Sequence, residues 1–145
     1  MIMFTAGCGF EPMHSKGKLS DTNFSISEIK FEGDRDINIK IEEKLKRYTQ
    51  IIKKKTYVLL IESNYIKETI AKDAKGDPTT FEIRIVSFIK ITDQNNIKSK
   101  IPFRKNFKYK NDKSRFEQKR YEKEIKESLA ETISNDIIVK LSNLK

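Results

Sequence analysis

A chain of 145 residues, 37% hydrophobic and 35% charged, is long enough for one domain with a buried core under a densely charged surface. Its single cysteine excludes an intrachain disulfide, and no apolar run approaches the roughly 20 residues that a membrane-spanning helix needs. The formal net charge is +9, and between Lys98 and Lys126 stand 12 Lys/Arg against 4 Asp/Glu, so nearly the whole excess sits in one segment. Such a field favours an anionic partner, the phosphates of lipid, nucleic acid or polysaccharide. The plainer reading of each single lysine is a solvated surface charge.

The first element is Phe4-Thr5-Ala6-Gly7-Cys8-Gly9-Phe10, in which small residues run into the lone Cys8 behind the apolar Met1 to Phe4. A lipid-attaching enzyme needs an accessible thiol nucleophile, and a signal peptidase needs small side chains just before its cut. Residues 1–7 are therefore expected as the remnant of a lipoprotein signal peptide, with no Lys or Arg before Cys8. The other reading of Cys8 is a free, half-buried thiol near a frayed terminus. Residues 8–23 read as a lipidated tether, with Gly9, Pro12 and Gly17 and no sustained period. The only histidine, His14, lies here and is expected to be solvated.

Residues 24–145 read as one domain. Phe24 to Phe31 reads as a first strand whose apolar phase shifts between Ile26 and Ile29, as a bulge would shift it. Gly33-Asp34 breaks it. A helix capped by Asp34 or Asp36 follows, with Ile37, Ile41, Leu45 and Tyr48 as one apolar stripe. Tyr57 opens a long second strand reaching toward Lys72, apolar on both faces in its first half as a central strand is. Asp73 to Pro78 forms a hairpin loop. In the third strand Phe81, Ile83, Ile85, Ser87, Ile89 and Ile91 share one face, while Val86 and Phe88 keep the other face from being wholly polar.

The fourth strand sorts its side chains most sharply. Ile97, Ile101, Phe103, Phe107 and Tyr109 point one way, with Lys105 as the exception, and Lys98, Lys100, Arg104, Lys108 and Lys110 point the other. Pro102 donates no hydrogen bond to a ladder and marks an edge strand or a bulge. Ser114-Arg115-Phe116-Glu117 is a capping box that opens the last helix. Ile125, Leu129, Ile133, Ile137 and Leu141 then recur every four residues over a helix of roughly 40 Å. The expectation is an α/β (α+β) domain, order β-α-β-β-β-α, with two helices packed on one face of a four-stranded mixed sheet.

No catalytic constellation accompanies this fold. The sequence has no metal-ligand spacing of Cys or His and no glycine-rich phosphate loop. No cofactor and no metal are expected, and the chain reads as a binding or assembly protein, not an enzyme.

Three stretches resemble the LPS-assembly lipoprotein family (LptE, also called RlpB). Thr5-Ala6-Gly7-Cys8-Gly9-Phe10 looks like its lipidated start. Phe24 to Phe31 with Gly33-Asp34 is similar to its first strand, and Ile70-Ala71-Lys72-Asp73 with the following tip and alternating strand looks like its central hairpin. The resemblance implies a lipoprotein anchored through Cys8 at the periplasmic face of the outer membrane. There it would plug and assist the β-barrel LptD in lipopolysaccharide transport, and contact lipopolysaccharide itself. By neighbourhood, the family's basic residues near the hairpin tip best match Lys72 or Lys75, and those opening the last helix best match Lys119. Arg104 and Lys108 on the basic stripe are further candidates for lipid phosphates.

Two other readings compete. A helix, three antiparallel strands and a helix is also the order of a cytoplasmic double-stranded-RNA-binding module, although those elements are usually shorter and the first strand would be extra. A periplasmic scaffold with merely solvating charge is the third. On the lipoprotein reading no nucleic-acid partner is expected.

Overall fold

The structure, a computed structural model, describes residues 22–93 and 96–145. Six elements follow the expected order. They are β1 (Phe24–Gly33), α1 (Arg35–Thr49), β2 (Lys55–Lys72), β3 (Pro78–Asp93), β4 (Asn96–Lys110) and α2 (Arg115–Asn143). The sheet runs β1-β2-β3-β4, with β1 parallel to β2 and the other pairs antiparallel. It is therefore mixed, and β4 with its Pro102 is an edge.

Local chemistry explains the boundaries. The register of β1 on β2 shifts between Ile26 and Glu28, so Phe24, Ile26, Ile29 and Phe31 all turn toward the helices. Gly33 ends the strand at φ 87°, and a Cβ there would lie 2.1 Å from the Ser63 carbonyl oxygen. Only glycine fits both the positive φ and that close approach. The Asp34 amide donates to the same oxygen at 2.7 Å, and the Asp34 carboxylate accepts from the Ile37 amide at 3.0 Å, which makes it the cap of α1. At α2, Ser114 and Glu117 form the complete capping box.

Both helices cover one sheet face. Ile37, Ile41 and Leu45 of α1, Leu59, Ile61, Ile85 and Ile89 of the sheet, and Ile133 and Leu141 of α2 are all fully buried. Each such side chain contributes about 1.5–3 kcal/mol of transfer free energy. Ser63 and Ser87 stand among them, and their hydroxyls satisfy one another at 2.9 Å.

Two expectations need adjustment. Leu129 lies only at the margin of the core, while Ala130 and Ser134 are fully buried. Phe107, expected on the buried side of β4, is 42% exposed at its rim. Among the described residues no helix lies on the second face of β2, where Val58 and Leu60 are half-buried.

Candidate functional site

The molecule has two distinct ends. At one, the chain enters at Asn23, whose side chain donates to the Ser142 carbonyl at 3.0 Å, and Lys55 donates to the Leu144 carbonyl at 3.0 Å. At the other, the β2–β3 hairpin, the end of β4 and the start of α2 meet. There Asn111 ties β4 to the hairpin, its amide donating to Thr79 at 2.9 Å and its side chain to Pro78 at 2.8 Å. A strand of 18 residues, β2, runs between the ends and spans about 60 Å.

The predicted basic residues lie in three places. Lys72 closes β2 and Lys75 stands on the loop, both exposed. That loop is shaped by Asp73, which accepts from the amides of Lys75 and Asp77 at 2.9 Å each. Arg104 and Lys108 are exposed on the sheet face opposite the helices, level with Val86 and Glu82. Lys119 is exposed on the early turns of α2, across the sheet from them. The five cations therefore line one end and one face of the molecule without converging on a single pocket. Other basic side chains are committed to partners. Arg84 bridges Glu68 and Glu82 at 3.4 and 3.1 Å, and Lys105 bridges Asp136 at 2.7 Å. Glu82 is held below the usual carboxylate range by the Asn106 side chain and by Arg84.

Between the early turns of α2 and the hairpin lies a polar and aromatic seam that sequence reasoning missed. Glu122 accepts from Lys67 at 2.5 Å and from the Tyr109 hydroxyl. Tyr109 meets Tyr121 edge-on at 5.7 Å, and Lys67 sits 4.3 Å above the Phe81 ring. Partial burial opposes the charge of Glu122, but the bonds from Lys67 and Tyr109 outweigh it and lower its pKa. Burial, with Glu122 alongside, pushes the Tyr109 hydroxyl up. A second seam joins the helices: Lys126 bridges Asp34 at 2.8 Å and Asp36 at 3.3 Å and lies 4.8 Å from the Tyr65 ring. The one available signal was the pair Tyr65 and Tyr109, whose hydroxyls need partners on a mostly apolar face.

Cys8 and His14 lie outside the described residues. Among the described residues no cluster of His, Cys, Asp and Glu is arranged to hold a metal ion. No described helix is long and apolar enough to cross a membrane.

No protein-family model and no curated protein matches the sequence. The fold does match: it is that of solved bacterial lipoproteins. The crystal structure of rare lipoprotein B from Shewanella oneidensis aligns with a TM-score of 0.60 at 11% identity, over 78% of this chain and 91% of that one. For the minor lipoprotein of Acinetobacter baumannii the values are 0.59 and 14%, over 80% and 90%. An uncharacterized lipoprotein B from Nitrosomonas europaea, solved in solution, gives 0.61 and 14%, over 83% and 86%. The likeness is one of fold, and it takes in nearly the whole of each of those domains.

Proposed function

We propose that the chain is a lipoprotein anchored through Cys8 at the periplasmic face of the outer membrane. It assembles with the LptD β-barrel as a plug and assists lipopolysaccharide transport to the cell surface. The observation that carries this reading is the fold shared with rare lipoprotein B and its like, across 86–91% of their chains. The far end supports it: exposed lysines at the hairpin tip, about 60 Å from the anchored end, suit an anionic glycolipid. Lys72, Lys75 and Lys119 are the residues for that contact, with Arg104 and Lys108 on the adjoining face. The role is one of binding and assembly.

The test is recovery of partners from detergent-solubilised envelopes with the full-length, lipidated protein as bait. One large β-barrel protein near one-to-one is expected, with acyl chains on the N-terminal Cys8 in the mass of the mature chain. Purified lipopolysaccharide should bind the domain less tightly as salt rises, since the Debye length falls from about 10 Å at 0.1 M to about 3 Å at 1 M. RNA in place of a barrel would transfer the function to nucleic-acid binding.

A further inference from the structure

The end where the chain enters carries a positive charge of its own, apart from the basic segment between Lys98 and Lys126. From Lys46 to Lys55 stand five Lys/Arg and no Asp or Glu. They occupy the last turn of α1, the loop after it and the first residue of β2. Lys55 donates to the Leu144 carbonyl, so the close of α2 brings Lys140 and Lys145 to the same end. The acidic group here, among the described residues, is Asp93, one position past the Val58–Thr92 pair. Farther back, Glu28, Glu43, Glu131 and Asp136 each have a lysine partner, and Glu42 is exposed. In the sequence just before the domain, residues 8–21 set Lys16 and Lys18 against Glu11 and Asp21, which leaves the balance basic.

The loop at the centre of this charge presents Ile52 with 95% of its surface exposed. A single exposed isoleucine means little by itself. Here it heads Lys53-Lys54-Lys55, and the backbone on both sides of it is held. Ile51 packs against the core, the Lys53 amide donates to the Ser25 hydroxyl at 3.1 Å, and the Thr56 hydroxyl donates to the Lys53 carbonyl at 2.9 Å. An apolar tip that stands proud, ringed by ammonium groups, suits a bilayer interface, where acyl chains lie just below a layer of phosphates. RNA would find no aromatic ring on the loop for its bases to stack on. A second copy would set cations on cations. The tether also leads here: from Cys8 to Asn23 the chain reaches at most about 50 Å, whatever its path. We propose that this end of the folded domain rests on an anionic phospholipid surface, with Ile52 inserted below the headgroups and the surrounding lysines and Arg47 on lipid phosphates. The inference rests on the lipoprotein reading for bringing a membrane to this end, but the contact belongs to the domain and needs no acyl chain. It also sets orientation, because an end seated on the bilayer turns the hairpin away from it.

The sequence has no tryptophan, so one introduced at either end is a lone reporter. The full-length Cys8→Ser chain, which carries no lipid, is mixed with vesicles of phosphatidylcholine and phosphatidylglycerol, or of phosphatidylcholine alone. Ile52→Trp in this chain should shift its emission to the blue on the mixed vesicles and be quenched by acyl-brominated lipid. Phe116→Trp, at an equally exposed place toward the hairpin, should do neither. Arg47→Glu with Lys54→Glu should weaken binding of mixed vesicles at least about tenfold, since each cation at such a surface is worth about fivefold. Lys72→Glu with Lys75→Glu should leave binding within about twofold, because the tip lies several Debye lengths away. All these positions are exposed, so folding should survive, as urea melts will verify. Quenching at position 116 that matches position 52, a tip swap as damaging as the Arg47 and Lys54 swap, or equal binding of neutral vesicles overturns the inference. So does an Arg47 and Lys54 swap that spares vesicle binding and abolishes binding of RNA. Vesicle failure beside an acylated Cys8 in the parent removes only this inference. A parent without acyl chains removes the lipoprotein reading and leaves the vesicle result standing.

Discussion

The two ends of this domain are held together by different chemistry. Where the chain enters, β1, the first half of β2, α1 and the last turns of α2 close on fully buried aliphatics such as Ile41, Leu59 and Ile133, with Phe24 stacked on Tyr48 at 4.9 Å. Toward the hairpin the core thins to a cluster of Ile83, Tyr109 and Ile125 edged by partly buried aromatics. Beyond it α2 is exposed, to the point that Phe116 shows 78% of its surface. Hydrophobic burial is non-directional and collective, so it gives the near end a rigid base. Hydrogen bonds and cation–π contacts are directional, can be exchanged for a ligand's, and cost little to open at a surface. The comparison assigns stability to one end and exchangeable contacts to the other.

The largest effect that would break this comparison comes from Ile133→Asp. The side chain is fully buried, and an unpaired carboxylate there leaves no acceptable solution but unfolding or protonation. No cooperative urea transition is expected, while Phe116→Asp at the far end should melt like the parent. Similar melts for the two variants would show that the near end is not the stabilising base. Gly33→Ala comes next. It combines a positive φ with a Cβ placed on the Ser63 carbonyl, and should cost at least about 2 kcal/mol by urea melt.

How much of this was legible in the sequence follows the same division. The near end was legible because period dictates it. Ile37, Ile41, Leu45 and Tyr48 are all buried, Asp34 caps α1, and Pro102 stands on an edge. The α2 stripe was legible in outline only. A step of four residues advances about 400°, so each step drifts about 40° around the helix. The stripe slants, Leu129 reaches only its margin, and Ala130 and Ser134 take the centre. The far-end seams were not legible. Lys67 and Glu122 are 55 residues apart and Lys126 and Asp36 are 90 apart, and strand register with helix rotation decides that they meet. Composition made Lys126 one of 30 basic residues, while its place between two aspartates makes it structural. Lys72, Lys75 and Lys119 were singled out by the family resemblance and Arg104 and Lys108 by strand alternation; all five are exposed, and their distribution over three places came only from the fold.

A smaller effect sharpens the comparison at the Glu122 seam. Tyr109→Phe removes one hydrogen bond to a charged acceptor, and Glu122→Gln removes the charge that holds Lys67. Each should cost about 1–2 kcal/mol, and the cost should appear locally. Amide hydrogen exchange in residues 115–124 should speed up in both variants, with protection around Ile133 unchanged. Uniform acceleration along all of α2 would mean that the two ends unfold as one unit.

The smallest expected effect concerns acid. Asp34 is partly buried, which opposes its ionisation, but the Lys126 bond, the Ile37 amide and the Lys126 charge outweigh that and lower its pKa. A carboxyl that is more acidic folded than unfolded binds its proton more readily in the unfolded chain. Its stabilisation is thus complete above the unfolded value of about 3.9 and is lost as pH falls through the folded one. The pair is partly exposed, which limits the contribution to about 1 kcal/mol. Replacing the cation, as in Lys126→Met, leaves Asp34 desolvated without its main partner, so its lowered pKa should return toward or above the ordinary value. The parent should then lose stability more steeply than the variant between about pH 5 and pH 2, and the two curves should run parallel above about pH 6. Urea melts across that range measure the difference. Because Lys126 joins both helices beside the Tyr65 ring, a slope difference would place the end of the hydrophobic base at this seam, and curves parallel at every pH would place it farther toward the hairpin.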